Sequence, residues 1–469
     1  MLNGGEIMLD KSLCKNIISD ILQSGGDFAE LFIEQTKKNA IKMVDGKVEE
    51  INSGSINGIG IRAFVNNKVI YAYTNDFSKD NLLLTNEKLC SVIHKNNTDN
   101  INLNFIKKEF KNINPVLFYP ENVPLKDKID LMQKTHHYIK ENSDKISKSI
   151  IHILESDQQI WIYNSDNLEA QDRRTRTRLA ATVVVSKGNE KTVATEFPGA
   201  SMGFEFFNTI DPYLIGKNVS SRALRMSEAE YCPAGKMPVI ISNGFGGVLF
   251  HEACGHPLEA TSVAKGASVF TGKIGKQIAS EIVSAVDDAT IPNAWGSANI
   301  DDEGEMTRRN ILIENGVLKT FLVDRANETK LNIKRNGCSR RQNYTFTPTS
   351  RMSNTFILPG DLYPEEIISK TEYGLYAKTM GGGSVMPATG EFNFAVNEGY
   401  LIKKGKIDKP VKGATLIGKG HEILSKIDLV GNDLSRGEGM CGSSSGSIPA
   451  DVGQPTLRIS ELTVGGRNK

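Results

Sequence analysis

Apolar positions recur with a helical period over residues 9–24 (LDKSLCKNIISDILQS), which predicts an amphipathic helix. The period then falls to two. Ala29–Gln35, Ala40–Val48, Ser55–Val65 and Lys68–Tyr73 read as short strands, several of them alternating, punctuated by Gly or Asn-Asn turns. Helices are predicted from about Ser78 to His94 and from about Pro124 to Asn142, with an Asn-, Lys- and Pro-rich connector at 95–122. Strands follow at roughly 147–165, 177–187 and 191–204, then a helix near Ile215–Ala229. Tyr231–Met237, with Pro233 and Gly235, reads as a domain linker, and the chain beyond it is rich in glycine and strand patterns. The fold class this predicts is α+β. An N-terminal domain of antiparallel strands with flanking helices occupies 1–230, divisible near 95–122. A strand-rich domain occupies 231–469.

One segment of the second domain carries chemistry. Met237–Ser242 reads as a buried strand, Asn243–Gly247 as a glycine turn, and the helix that follows contains His251-Glu252-Ala253-Cys254-Gly255-His256, an HExxxH pattern. Neutral imidazoles are common zinc ligands, and a carboxylate beside one of them can serve as general base. In the familiar HExxH signature the histidines lie four apart on one helical face. Here they lie five apart. At roughly 100° per residue, five steps turn the second ring about 140° from the first. A regular helix could not aim both at one ion, but a π-type turn, which closes at i+5, could. Gly255 stands where that distortion is easiest. The bland alternative is two ordinary histidines.

A catalytic zinc takes three protein ligands as a rule. Cys441, Cys254, Cys338, His421, Asp301, Asp302 and Glu303 are the candidates for the third. Cys254 lies inside the motif and reads equally as a small core residue. Cys441 lies in Gly439–Gly446, which reads as a flexible loop with no packing reason for a thiol.

Composition narrows the class. A chain of 469 residues suggests two or three domains, and a net charge of +1 offers no electrostatic case for direct nucleic-acid binding. No apolar stretch is long enough to span a membrane, and the first residues do not have the pattern of a secretory signal. Six cysteines without framework spacing suit a reducing cytoplasm.

Long ordered blocks extend the motif: VLFHEACGHPLEA, GSANIDDEGEMTRRNILIENGVLKTFL, RMSNTFILPGD, MGGGSV with TGEFNFAVNEGYLI, KPVKGATLIG, LVGNDL, and GMCGSSSGSIPADVGQPTLRI with LTVGG. In these the chain resembles the TldD/PmbA family of metalloproteases, in its TldD branch, over essentially its whole length. The resemblance implies that His251, His256 and Cys441 hold one zinc ion per chain and that Glu252 is catalytic, activating a zinc-bound water against a peptide bond. It implies small or unfolded peptides as substrates, and a dimer enclosing the site, either a homodimer or a heterodimer with a PmbA-like chain. PmbA-like chains lack the metal set, so a non-catalytic subunit is the reading the intact motif argues against. Members described as gyrase modulators make a regulatory binding protein the alternative. Two departures stand out: LEAT where the family has LEGD, which removes an acid at Thr261, and SSS after Cys441 where a Lys and an acid are common.

Three further motifs have two readings each. Gly381, Gly382 and Gly383 either let an extended peptide pair with a strand edge or form a bulge in a buried sheet. Asp301-Asp302-Glu303 either supports a ligand histidine or caps a turn. Arg340-Arg341 with Tyr344 either binds a substrate carboxylate or makes salt bridges between domains.

Overall fold

The computed structural model describes residues 9–93, 101–386 and 389–467, with the backbone of 2–3 and 6–7. Four long antiparallel strands organise the first half: Phe28–Val44, Lys47–Val65, Ile146–Asn164 and Leu168–Lys187. They are the centre of an eight-stranded sheet. Asp45-Gly46 and Asn66-Asn67 close the first two hairpins with positive φ at all four residues, the two-residue turn that matches strand twist. The predicted strands Ala29–Gln35 and Ala40–Val48 are therefore not separate. The polar run between them stays extended because strands flank it on both sides, so its backbone groups are paired whatever its side chains are. The same effect extends the strand predicted at 177–187 back to Leu168. The strand predicted at 191–204 ends at Glu196, ahead of Pro198, and only Gly199–Ala200 resumes pairing.

Alternation gives this sheet two unlike faces. On one, Leu31, Ile33 and Ile61 pack under the helices Lys11–Gln23 and Lys79–Cys90. Ile41, Met43 and Ile153 on the same face pack under Leu125–Glu141 and Pro212–Glu228. The predicted helices are thus present with ends shifted by one to four residues, and His94 lies outside the described residues. The other face turns to the second half of the chain and mixes Phe32, Ile160 and Ile162 with buried charges. The predicted connector runs over this sheet, and Ile106–Lys107 pairs with Leu168–Glu169. Residues 95–100 of that connector lie outside the described set.

The second half is built on two sheets. An eight-stranded sheet has Gly235–Ile241 near its middle, between Tyr373–Met386 and Leu457–Gly465. A six-stranded sheet ends in the hairpin of Ser435–Ser443 and Gly446–Gln454, with Ser435–Ser443 at its edge. One large apolar core joins the two sheets and contains Leu249, Phe250, Ala253 and Cys254. The linker expected at Tyr231–Met237 is already sheet at both ends, since Glu230–Tyr231 pairs with Val411–Lys412 and the next strand starts at Gly235.

The acidic run at 301–303 holds the two halves together. Arg62, fully buried, donates to Glu30 Oε2 at 2.7 Å and to Glu303 Oε1 at 2.8 Å. Arg341 donates to Glu30 Oε1 at 2.9 Å, and Arg174 to Asp302 Oδ1 at 2.6 Å. Asp301 Oδ1 accepts from the amides of Glu303 and Glu305, so it also caps the turn. Of the two readings of this run, the turn cap is the one observed, and the ion network adds a role the sequence did not suggest. Arg341 with Tyr344 follows the salt-bridge reading, while Arg340 donates to the Met352 carbonyl at 2.8 Å.

Candidate metal centre

Gly235–Ile241 delivers the chain into a glycine turn and a single α-helical turn at Val248–Phe250. His251–Gly255 is then a π-helical turn, and the amide of His256 donates to the His251 carbonyl, closing at i+5. That widening is what brings two rings five residues apart to one place. His256–Leu258 tightens to a 3₁₀ turn, with Pro257 ending the helix. Gly255 has a different role from the expected one. Its backbone is ordinary right-handed helix, but a Cβ there would lie 2.0 Å from Met352 Sδ. The glycine is required by packing, not by conformation.

The rings of His251 and His256 stand nearly perpendicular, at 83°, with centroids 5.2 Å apart. Cys441 Sγ lies 3.2 Å from His251 Nε2 and 3.3 Å from His256 Nε2. All three donor atoms fall within 4.8 Å of one another. Ligand atoms around a tetrahedral zinc, at ~2.0–2.3 Å from the ion, are about 3.3–3.6 Å apart. The donor set therefore fits that ion in type and in spacing. Burial opposes the Cys441 thiolate, but the two facing imidazoles outweigh it and hold its pKa well below the ordinary thiol value. Burial also opposes a charged His256, and the Glu259 carboxylate and Cys441 outweigh that in turn, raising its pKa.

Cys441 is not in a loop. It sits on the edge strand Ser435–Ser443, opposite Ile448, and is 3 % exposed. Glycines at 437, 439 and 442 obscured the strand pattern, and hairpin pairing supplies the order that side chains do not. Arg351, fully buried, fixes this strand by donating to the Cys441 carbonyl at 2.6 Å and to Ser445 Oγ at 2.9 Å. The serine loop thus has a structural task. The other ligand candidates are elsewhere. Cys254 points into the core toward the Gly420 carbonyl, and burial pushes its thiol well up. Cys338 is buried beside the acidic run, where burial and the nearby carboxylates raise its thiol pKa too. His421 and Asp301–Glu303 lie outside the donor cluster.

Glu252 stands beside the donors and not among them, with Oε2 3.6 Å from His256 Nε2. Its side chain is 25 % exposed, the most open of this group. The carboxylate beside the His256 ring is Glu259, whose Oε2 is 3.2 Å from His256 Nδ1. In a neutral ring that contact would favour the proton on Nδ1 and leave Nε2 to face Cys441. Sequence reasoning looked for this partner at 301–303 and passed over Glu259. Its signal was an acid three residues after His256, one helical turn away. Thr261, where the family's second acid is absent, bonds Ser350 Oγ at 2.9 Å.

Gly381–Gly383 lies on the strand Tyr373–Met386, which packs against the π-turn. A Cβ at Gly381 would meet Asn397 Oδ1 at 2.6 Å, and one at Gly383 would meet the Asn393 carbonyl at 2.2 Å. Nothing lies within 4 Å of a Cβ at Gly382. Gly381 and Gly382 form a bulge, without register partners between Met380↔Val396 and Gly383↔Phe394, and among the described residues the other side of Thr379–Met386 has no strand neighbour.

Models of three PmbA/TldA metallopeptidase domains match successive parts of the chain: domain 1 at 29–92, the central domain at 118–227 and the C-terminal domain at 234–466. The chain belongs to the PmbA/TldD metallopeptidase family. A Haemophilus influenzae protein named as a metalloprotease TldD homolog is 34% identical to it, over 97% of this chain and 96% of that one. A metalloprotease of Methanocaldococcus jannaschii is 33% identical over 92% and 96%. A Saccharolobus solfataricus relative, named as a zinc metalloprotease TldD homolog, is 26% identical over 94% and 97%. Among solved structures, TldE from Thermococcus kodakarensis superposes with a TM-score of 0.77 at 17% identity, covering 97% of this chain and all of that one. A Thermotoga maritima protein named as a candidate modulator of DNA gyrase gives 0.79 at 20%, with the same coverage. At these identities the two structures establish the shared fold.

Proposed function

We propose that this protein is a zinc-dependent peptidase of small or unfolded peptides, with the ion held by His251, His256 and Cys441 and with Glu252 as general base. The observation that carries this reading is the convergence of His251 Nε2, His256 Nε2 and Cys441 Sγ beside a partly exposed carboxylate that is outside the donor set. Two imidazoles and a thiolate suit zinc and disfavour magnesium or calcium. When bound, zinc polarises a carbonyl and acidifies water. Glu252 takes the proton from the attacking water and passes it to the leaving amine. Glu259 holds the His256 ring, and Arg351 holds the Cys441 strand. The test is metal content with peptide hydrolysis. Purified protein should carry about one zinc per chain and cleave an unfolded peptide, a chelator should stop cleavage, and zinc should restore it. A regulatory binding protein, the reading that gyrase-modulator names of fold relatives suggest, would show no chelator-sensitive cleavage.

Substrate backbone pairs with the open edge at Gly382 in this reading. Gly382→Val adds a β-branched side chain at the one glycine of the three with free space. Loss of one or two backbone hydrogen bonds would raise KM by about tenfold. Zinc content and Tm should stay near wild type, and a variant that melts early or loses zinc would refute the pairing role.

The working assembly is a dimer in the cytoplasm, either of two copies or with a PmbA-like chain. All six cysteines are free, as a reducing compartment requires, and no helix among the described residues is long and apolar enough to cross a membrane. A stable interface buries about 1,200–2,000 Å². Light scattering after gel filtration, run on the protein alone and with its partner, would reject a dimer if a lone monomer were fully active.

A further inference from the structure

Glu259 and Arg351 each touch a different metal-ligand candidate, and they also face each other. Glu259 Oε2 lies 3.2 Å from His256 Nδ1. Arg351 Nη2 donates to the Cys441 carbonyl at 2.6 Å. Between these two contacts, Glu259 Oε1 is 3.6 Å from Arg351 Nε. Cys441 Sγ closes the circuit, 3.3 Å from His256 Nε2. The contacts form a ring that runs from imidazole to carboxylate, guanidinium, peptide carbonyl and thiol, and back to the imidazole.

The middle contact has no local task. Glu259 Oε1 and Arg351 Nε are both buried, and neither has a hydrogen-bond partner among the described residues. The Arg351 side chain is 0% exposed and that of Glu259 5%. A separation of 3.6 Å is too long for a hydrogen bond, so the attraction is ionic, and a buried charge without its opposite is costly. The rest of the guanidinium is used on the Cys441 hairpin, since Nη1 donates to Ser445 Oγ and to the Gly446 carbonyl, both at 2.9 Å. The hairpin therefore orients the edge that Arg351 presents to Glu259. The backbone is tied on both sides. Leu258 and Ala260 bond Leu322 on either side of Glu259, and the Arg351 amide donates to the Cys338 carbonyl at 2.9 Å. Held on fixed supports, the two side chains relate the helix turn to the strand.

We propose that Glu259 and Arg351 act as one positioning unit that sets the His256 imidazole and the Cys441 thiol against each other, so that either side chain governs both. The inference rests on the reading of His256 and Cys441 as zinc ligands. Ligands held in place before the ion arrives bind it more tightly, because less freedom is lost on binding. Two separate local tasks, a ring contact on the helix turn and a tie on the hairpin, would give each residue one ligand only.

Zinc affinity, read by competition against a calibrated chelator, tests this in Glu259→Gln, Arg351→Lys and the double variant. Neither substitution removes a ligand. Each alone should weaken zinc by about 10- to 100-fold. The double variant should lose no more than the weaker-binding single, because one unit is broken only once. Separate tasks would multiply, to about 10²–10⁴-fold in the double variant. In the Co²⁺-loaded protein, Glu259→Gln should shift the thiolate-to-cobalt absorption, although the substitution lies on the His256 side. Amide hydrogen exchange of the metal-free proteins needs no ion. Glu259→Gln should speed exchange in Gly439–Ser443, and Arg351→Lys should speed it in Gly255–Glu259. Exchange that changes only on the substituted side overturns the unit. So does unchanged zinc affinity in either single variant, or a multiplied loss in the double one. If Arg351→Lys does not fold, the effect of Glu259→Gln on the Gly439–Ser443 strand decides. If wild type takes up no zinc, the metal reading falls, and the exchange measurement alone upholds or rejects the unit.

Discussion

Glu252→Gln is expected to lower kcat for peptide hydrolysis by about 10²–10⁴-fold, the usual contribution of a positioned general base, while zinc content stays at the wild-type value. The substitution keeps the shape of the side chain and removes its ability to take a proton. Glu252 Oε2 lies 3.6 Å from His256 Nε2 but is outside the set of converging donors, so the metal would keep its three ligands. The side chain is also the open one of the group, where a peptide and a water would arrive. Hydrolysis of an unfolded peptide under saturating conditions, with metal analysis on the same sample, makes the measurement. Loss of zinc along with activity would show that Glu252 coordinates. Activity within a few-fold of wild type would show that it is not the base.

Cys441→Ala should weaken zinc binding by on the order of 10²–10³-fold, each ligand's share of the roughly 10–16 kcal/mol that zinc contributes in small structural sites. Competition against a calibrated chelator reads this directly. The matched control is Cys254→Ala, which removes a thiol that points into the core and should keep zinc affinity at the wild-type level with a modest loss of stability. The edge strand remains tied by the Arg351 bond to the Cys441 carbonyl, which the substitution does not touch. Full zinc in Cys441→Ala, with loss in Cys254→Ala, would reverse the assignment of the third ligand.

Much of this was legible in the residue order because the signals are local. Alternation and helical period depend on near neighbours, so the α+β class and most elements of the first half could be read directly. The i+5 spacing of two histidines demands a widened turn, and a π-turn is what His251–Gly255 forms. Errors arose where pairing partners decide conformation. The polar middle of Phe28–Val44 and the glycine-rich Ser435–Ser443 carry weak strand patterns, yet both are held extended by neighbouring strands.

The sequence by itself determined the identity of the chemistry: two imidazoles, a carboxylate and a thiol, in blocks that place the chain in its family. Residue types alone left the third ligand open and only the resemblance named Cys441; the tertiary structure is what brings its thiol to the histidines, because Cys441 is 185 residues from His256 and reaches it through the packing of the edge strand on the helix turn. It also decided that Glu259 stands beside His256, that Gly255 makes room for Met352, and that Asp302 and Glu303 hold two domains together. Contacts such as these depend on distance in space, and chain order carries little information about residues so far apart.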